Sequence, residues 1–448
     1  MNIIQLSPHS DPQAHLGEQD AGGQCVYEHQ LSYALSHYGN HDVTVYCRDS
    51  SRRPRVSKIT DTYRIIRIPC GGNRFIAKED IEPVLGEFAA RVVKDPFFTP
   101  DAILHAHYWD GGKAAIMLKS LITENMPFVW TPHSLGITKR TKFPDLQNEI
   151  LYNFIPRIAW ENYTMHVADK IIWSIAEDRA IMNEYYGVDP DKIEIVEPGI
   201  DVTRLSRINP QIARAQLTIP DDGYVLLTLG RMTPSKRYEH AIDALSHIQS
   251  KKPIYLVICG GNYSNPSIEE KEYMRFLKKH AREQGVSTRV IFIPAVSYET
   301  VNTVYSAADV FILTSPKEPH GLTVLEAMSM GIPSVVSRNS GIANRITHAK
   351  NSMLVSIETA QDVASAITQL LKNKLLYQRI SHTARDEIRT YYHWRERIGA
   401  YERVYRSIWR YGSRIPFRKL VLSNFFLSYN IFQTDDTVDI RRPFRTNV

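Results

Sequence analysis

Short apolar runs of four to six residues alternate along the chain with longer segments whose apolar residues recur at helical spacing. A strand covered on both faces reads as one continuous apolar run, so this alternation predicts parallel strands joined by crossover helices. In the first half, strands are expected at residues 3–6, 43–47, 63–68, 102–105, 128–130 and 170–173, with a helix over 26–37. A second series opens at 224–229 and continues at 254–259, 289–293, 310–313 and 334–336. The same plan runs twice, which predicts an α/β protein of two Rossmann-like domains facing a central cleft, with ligands beyond the carboxyl ends of the strands. Glu197-Pro198-Gly199-Ile200-Asp201 and the polar residues up to Pro210 punctuate the boundary. The expected divisions are 1–203, 204–392 and a third piece, 393–448. In that piece Trp394, Ile398, Tyr401, Val404, Tyr405 and Ile408 fall on one helical face, and it is expected to cross back to the N-terminal domain.

Composition narrows the class. The 448 residues are 43% hydrophobic and 23% charged, the balance of a folding globular chain rather than a disordered or fibrous one. A net charge of +6 is too mild for a dedicated nucleic-acid binder and suits phosphorylated small molecules. Cys25, Cys47, Cys70 and Cys259 are scattered without a CxxC pair, so neither a zinc site nor a disulfide framework is indicated. The first residues, Met1 to His9, lack a basic leader and read as a buried strand, and a cytoplasmic setting follows. The most apolar segment, 420–432, is broken by Ser423, Asn424, Ser428 and Asn430, which argues against a spanning helix. Nothing in the sequence specifies an oligomeric state.

Candidate chemistry collects after the strands of the second series. In Glu318-Pro319-His320-Gly321-Leu322-Thr323-Val324-Leu325-Glu326 two carboxylates flank a loop-to-helix junction. A helix starting near Gly321 leaves backbone N–H groups free for a phosphate, and Glu326 has two oxygens to accept a pair of ribose hydroxyls. Ordinary acids at a helix start are the plain alternative. Gly230-Arg231-Met232-Thr233-Pro234-Ser235-Lys236 follows the first strand of the series, and Arg231 with Lys236 offers fixed positive charge to a diphosphate without a metal. A solvated basic loop is the plain reading there. In the first half, Gly22 and Gly23 precede Gln24 at a helix start and permit close backbone approach. The three-glycine turn of a nicotinamide dehydrogenase is missing. His105-Ala106-His107-Tyr108-Trp109-Asp110-Gly111-Gly112 and Thr131-Pro132-His133-Ser134 each follow a strand, and their histidines fit hydrogen bonding to sugar hydroxyls better than a metal.

Together these residues resemble a retaining glycosyltransferase of family 4, with the GT-B fold. The resemblance rests on Glu318 and Glu326, on Arg231 with Lys236 and on the Gly22-Gly23 turn, and it reaches to about Tyr411. Residues 68–79, His107-Tyr108-Trp109-Asp110 and Thr131-Pro132-His133-Ser134 are most similar to the branch of sucrose-phosphate and mannosylfructose-phosphate synthases. The resemblance implies a donor site of Gly22, Gly23, Val296, Gly321, Leu322, Thr323 and Glu326, with His133, Glu318, Arg231 and Lys236 at the reacting end. It implies an acceptor site of Gln24, Lys78, Asp110, Lys139 and Arg157, whose cations suit a sugar phosphate. The substrates would be a UDP- or GDP-linked hexose and a hexose phosphate such as fructose 6-phosphate, with no metal and no further cofactor. His320 stands where the family carries Phe, and the segment Asn339-Ser340-Gly341-Ile342-Ala343-Asn344 lacks the usual second Gly and a Glu. Two other readings stay open: a peripheral membrane transferase with a lipid or inositol acceptor, tested by liposome binding, and a noncatalytic nucleotide-sugar binder.

Overall fold

The computed structural model describes residues 1–448 apart from 15–21, 123–124, 139–153, 177, 265, 298–299, 317, 319 and 410–448. The chain divides into two units: Met1–Pro12, Tyr27–Glu197 and Arg397–Val448 form the first, and Gln13–Val26 with Pro198–Glu396 the second.

The first unit holds β1 (Asn2–Leu6), β2 (Asp42–Asp49), β3 (Arg55–Lys58), β4 (Tyr63–Pro69), β5 (Ile103–His107), β6 (Phe128–Thr131), β7 (Lys170–Trp173) and β8 (Ile193–Ile195). They form one sheet in the order β3-β4-β2-β1-β5-β6-β7-β8. Only β3 runs antiparallel, against β4. β1 is central, with Ile3 opposite Val43 on one side and Ile103 on the other. Its burial on both faces is why it reads as an unbroken apolar run. Chain order reverses between β1 and β5, which makes the loops following them the switch point of a doubly wound sheet.

The second unit repeats the scheme with β9 (Tyr224–Leu229), β10 (Ile254–Cys259), β11 (Val290–Ile293), β12 (Val310–Leu313), β13 (Ser334–Ser337) and β14 (Met353–Val355), ordered β11-β10-β9-β12-β13-β14 and parallel throughout. Its switch point lies between β9 and β12. Each sheet packs its own core, one gathering Leu104, Trp130 and Ile171 and the other Leu226, Ile258 and Ile312.

Three strands escape the apolar pattern. β3, Arg55-Val-Ser-Lys58, is an exposed edge with no buried run to betray it, and β8 and β14 are only three residues long. The first helix opens at Gly23, ahead of the apolar start at residue 26. The amphipathic C-terminal helix spans Trp394–Trp409. From Arg397 it belongs to the first unit, where Tyr401 shares a hydroxyl bond with Tyr27 (2.9 Å) and Tyr405 one with His105 (2.8 Å). The aromatic segment 420–432 lies outside the described residues.

Gly111 and Gly112 lie inside the helix Tyr108–Leu121. Their role is close packing. A Cβ on Gly111 would sit 2.6 Å from the Leu6 carbonyl oxygen of β1, and one on Gly112 would sit 2.8 Å from Thr164 Cγ2. The obstacle at Gly111 is backbone and has no rotamer to yield. Gly111→Ala should therefore destabilise the protein by about 1–3 kcal/mol, the usual cost of overpacking, read as a lower urea midpoint. An unchanged midpoint would show that β1 can move aside.

Candidate functional site

In the second unit the loops after β9 and β12 meet at the carboxyl edge of the sheet. Gly230 takes φ 156°, a backbone turn that carries the chain out of β9 into Arg231, and a short turn Pro234–Lys236 delivers Lys236. From the other strand, Thr314 Oγ1 donates to the Lys236 carbonyl oxygen (2.8 Å), tying the two loops together. Lys236 Nζ forms an ion pair with Glu318 Oε2. Burial pushes the Glu318 carboxyl up, but the facing Lys236 ammonium outweighs it and holds the acid below its ordinary range.

Gly321 is the hinge of the second loop. It adopts the left-handed region (φ 60°), and a Cβ there would fall 2.6 Å from Ile342 Cβ, so glycine is required on both counts. The helix Leu322–Ser329 follows without a side-chain cap, leaving its first N–H groups for a ligand. One turn in, Glu326 is buried and accepts a hydrogen bond from the Tyr305 hydroxyl (2.6 Å). Burial raises its acid pKa to about 7, against the pull of that bond. His320 is held to about 4 by burial and by Arg345, with Glu318 opposing.

A pocket gathers these groups. Its lining includes Gly22, Gly23, Arg231, Lys236, Val296, Glu318, His320, Leu322, Thr323 and Glu326. Gly22 and Gly23 lie in the segment Gln13–Val26 that belongs to this unit. A Cβ on Gly22 would meet the Arg231 side chain at 3.5 Å, and one on Gly23 would meet Leu322 at 3.9 Å, so the turn presents bare backbone to the pocket. Gly321 is the cap of the helix at its rim. Gln24 sits in the first turn of Gly23–His37. Tyr305, which clamps Glu326, carries no motif that sequence reading could use.

The first unit holds a separate constellation. His133 is buried, follows β6 and adopts φ 58°, a strained value for a residue with a side chain. Its Nε2 lies 3.1 Å from His107 Nδ1 and 3.9 Å from Glu28 Oε1. Glu28, His107 and His133 are, among the described residues, a group close enough to share a metal ion. His107 and His133 are at hydrogen-bond distance from each other, and Ser7 Oγ donates to Glu28 Oε1 at 2.8 Å. Burial holds the His107 imidazole neutral, its pKa well below normal.

Of the expected acceptor residues, three are engaged within the unit. Asp110 accepts from the His9 backbone N–H (3.0 Å) and contacts its Nδ1 (2.9 Å). Arg157 donates to Glu161 (2.7 Å), to the Tyr108 hydroxyl (2.7 Å) and to the Ser134 carbonyl (2.9 Å). Lys78 pairs with Glu79 at 3.0 Å. Lys139 lies outside the described residues.

Residues 21–204 match the model of Glycosyltransferase Family 4, and residues 210–387 that of Glycosyl transferases group 1. Mannosylfructose-phosphate synthase from Agrobacterium fabrum is 30% identical over 409 residues, 88% of each chain. D-inositol 3-phosphate glycosyltransferase from Corynebacterium efficiens is 28% identical, covering 79% of this chain and 83% of that one. Among solved structures, sucrose-phosphate synthase from Thermosynechococcus elongatus shares the fold with a TM-score of 0.80 at 24% identity, over 92% of this chain and 100% of that one. No helix among the described residues is long and apolar enough to cross a membrane. Two Rossmann-like units, a charged pocket at the second switch point and a relative at 30% identity over 88% of both chains lead to one conclusion: the chain belongs to the glycosyltransferases of family 4.

Proposed function

We propose that this protein is a retaining hexosyltransferase that moves glucose or mannose from UDP-glucose or GDP-mannose to a hexose phosphate, with fructose 6-phosphate as the leading acceptor. The observation that carries the reading is the convergence of Arg231, Lys236, Glu318 and Glu326 on one pocket at the switch point of a parallel sheet. Charge grows on a departing nucleoside diphosphate, and preorganised cations stabilise it without reorganising. Arg231 offers a planar fork and Lys236 a point charge. When the diphosphate arrives, Lys236 exchanges Glu318 for phosphate, and the freed carboxylate turns to the hydroxyls of the transferred sugar. Glu326 accepts from the ribose. His133 serves the hexose, and same-face attack preserves its anomeric configuration. Gln24, Lys78, Asp110, Lys139 and Arg157 receive the acceptor phosphate and hydroxyls. No metal or additional cofactor is required in this scheme.

The name and 30% identity of the Agrobacterium relative support fructose 6-phosphate as acceptor. A second reading, an inositol phosphate acceptor, is favoured by the Corynebacterium relative at 28% identity. Incubating the protein with UDP-glucose and GDP-mannose against a panel of hexose and inositol phosphates should release nucleoside diphosphate with one acceptor class. No release with any pair would sink the proposal.

Lys236→Ala should lower kcat by about two orders of magnitude or more, the scale for losing one electrostatic stabiliser, while the protein stays folded by circular dichroism. Turnover equal to wild type would remove Lys236 from the site. The raised acid pKa of Glu326, about 7, sets a pH dependence. The form that accepts two hydroxyls is the carboxylate, so calorimetric affinity for UDP-glucose should be flat above that value and weaken as pH falls through it, by up to about tenfold per unit. Glu326→Gln should bind more weakly and lose this dependence; a variant retaining the wild-type profile would transfer the titration to another group.

A further inference from the structure

Buried hydroxyls in folded proteins are almost always hydrogen-bonded, because an unpaired one forfeits the bonds it made to water. Tyr238 departs from that rule. It opens the helix Tyr238–His247, two residues after Lys236, it is only 3% exposed, and its hydroxyl has no hydrogen-bond partner among the described residues. The ring itself is firmly held. It stacks on Tyr273 at a centroid distance of 6.3 Å, and the Tyr238 backbone N–H donates to the Tyr273 hydroxyl (2.8 Å), which donates in turn to Glu239 (2.6 Å). The position of the Tyr238 hydroxyl is therefore fixed, and it lies at the edge of the donor pocket. A Cβ on Gly230 would fall 3.0 Å from that hydroxyl and 3.3 Å from Lys236 Cε, so phenol and lysine stem meet over the bare backbone of a pocket-lining glycine. Burial, with the Cys259 thiol and the Glu318 carboxylate, pushes the phenol well above its ordinary range against the pull of Arg231. The hydroxyl keeps its proton and is a donor.

We propose that the Tyr238 hydroxyl is a phosphate ligand of the donor site, recruited on binding: it donates a hydrogen bond to the terminal phosphate of the nucleoside diphosphate, beside Lys236. This rests on the reading that Arg231 and Lys236 receive the diphosphate. In the free protein Lys236 is turned to Glu318. When the ammonium turns to phosphate, its stem leaves the space above Gly230 that it shares with the phenol, and a phosphate oxygen takes that space. Lys236 faces the acid that serves the transferred sugar, so the phosphate concerned is the one that carries the sugar. A hydrogen bond to an ionised acceptor is stronger than one between neutral groups, and this one strengthens as charge grows on the departing phosphate. A hydroxyl without a partner before binding gives up no protein bond, so the new bond adds fully to affinity.

The test is full-length Tyr238→Phe, which keeps the ring and its packing and removes only the oxygen. Without ligand its urea midpoint should equal or exceed that of wild type, since no hydrogen bond is lost. By calorimetry, its affinity for UDP or GDP, whichever the wild type binds, should fall about tenfold, the scale of one hydrogen bond to a charged group. Affinity for the matching UMP or GMP, which lacks the terminal phosphate, should stay within about twofold, because the bond in question is absent from that complex. A merely structural tyrosine would instead lower the midpoint and weaken both ligands alike. Unchanged diphosphate affinity, an equal loss for monophosphate and diphosphate, or a lowered midpoint overturns the inference. Wild-type protein that binds neither UDP nor GDP defeats the donor reading of the pocket and this inference with it, whereas a wild type that binds and a Tyr238→Phe that binds equally well defeat the inference alone.

Discussion

Lys236 and Glu318 face each other where the loops after β9 and β12 converge, and the site in the second unit is arranged around that pair. Two opposite charges placed near a low-dielectric sheet edge stabilise each other against the desolvation that each suffers. An anionic ligand can therefore replace the carboxylate partner at modest cost, since Lys236 is never left without a counter-charge. The ties around the pair keep it in register. Thr314 fixes the Lys236 backbone, Gly230 turns the chain out of its strand, and Gly321 starts the helix whose N-terminus completes the pocket.

Glu326 shows the opposite use of burial. It sits one turn along the same helix with a hydroxyl rather than a cation beside it, so its acid is pushed up while that of Glu318 is pulled down. Two carboxylates eight positions apart thus have acidities shifted in opposite directions by their surroundings. The departures from the family pattern lie beside them: His320 lines the pocket, and Ile342, from the altered loop, occupies the space that a Cβ on Gly321 would need.

In the first unit the histidine loop is held from outside. Glu161 accepts from the Gly136 backbone N–H, from the Tyr186 hydroxyl and from Arg157, and Arg157 reaches on to Ser134 and Tyr108. This network fixes the residues that follow His133, Ser134 and Gly136, in the turn where His133 takes its unfavourable backbone angle. The family resemblance places Arg157 among the cations expected for a substrate phosphate, and in the structure it is buried. Its buried partner, Glu161, lies four residues along the same helix and answers it.

By itself the sequence determined the parts that depend on neighbours along the chain: the alternation of strand and helix, the double series, the glycines at Gly230 and Gly321, and the two motifs that carry Arg231, Lys236, Glu318 and Glu326. Apolar runs, turns and helix starts are local physics, legible in a window of a dozen residues. The tertiary structure alone decided what depends on contacts far apart in the chain. It set Tyr305 against Glu326, closed Gly111 onto the β1 backbone, engaged Asp110 with His9, and brought Glu28 and His107 to His133. Charge state, strain and burial are properties of surroundings, and surroundings exist only once strands distant in sequence have become neighbours in a sheet.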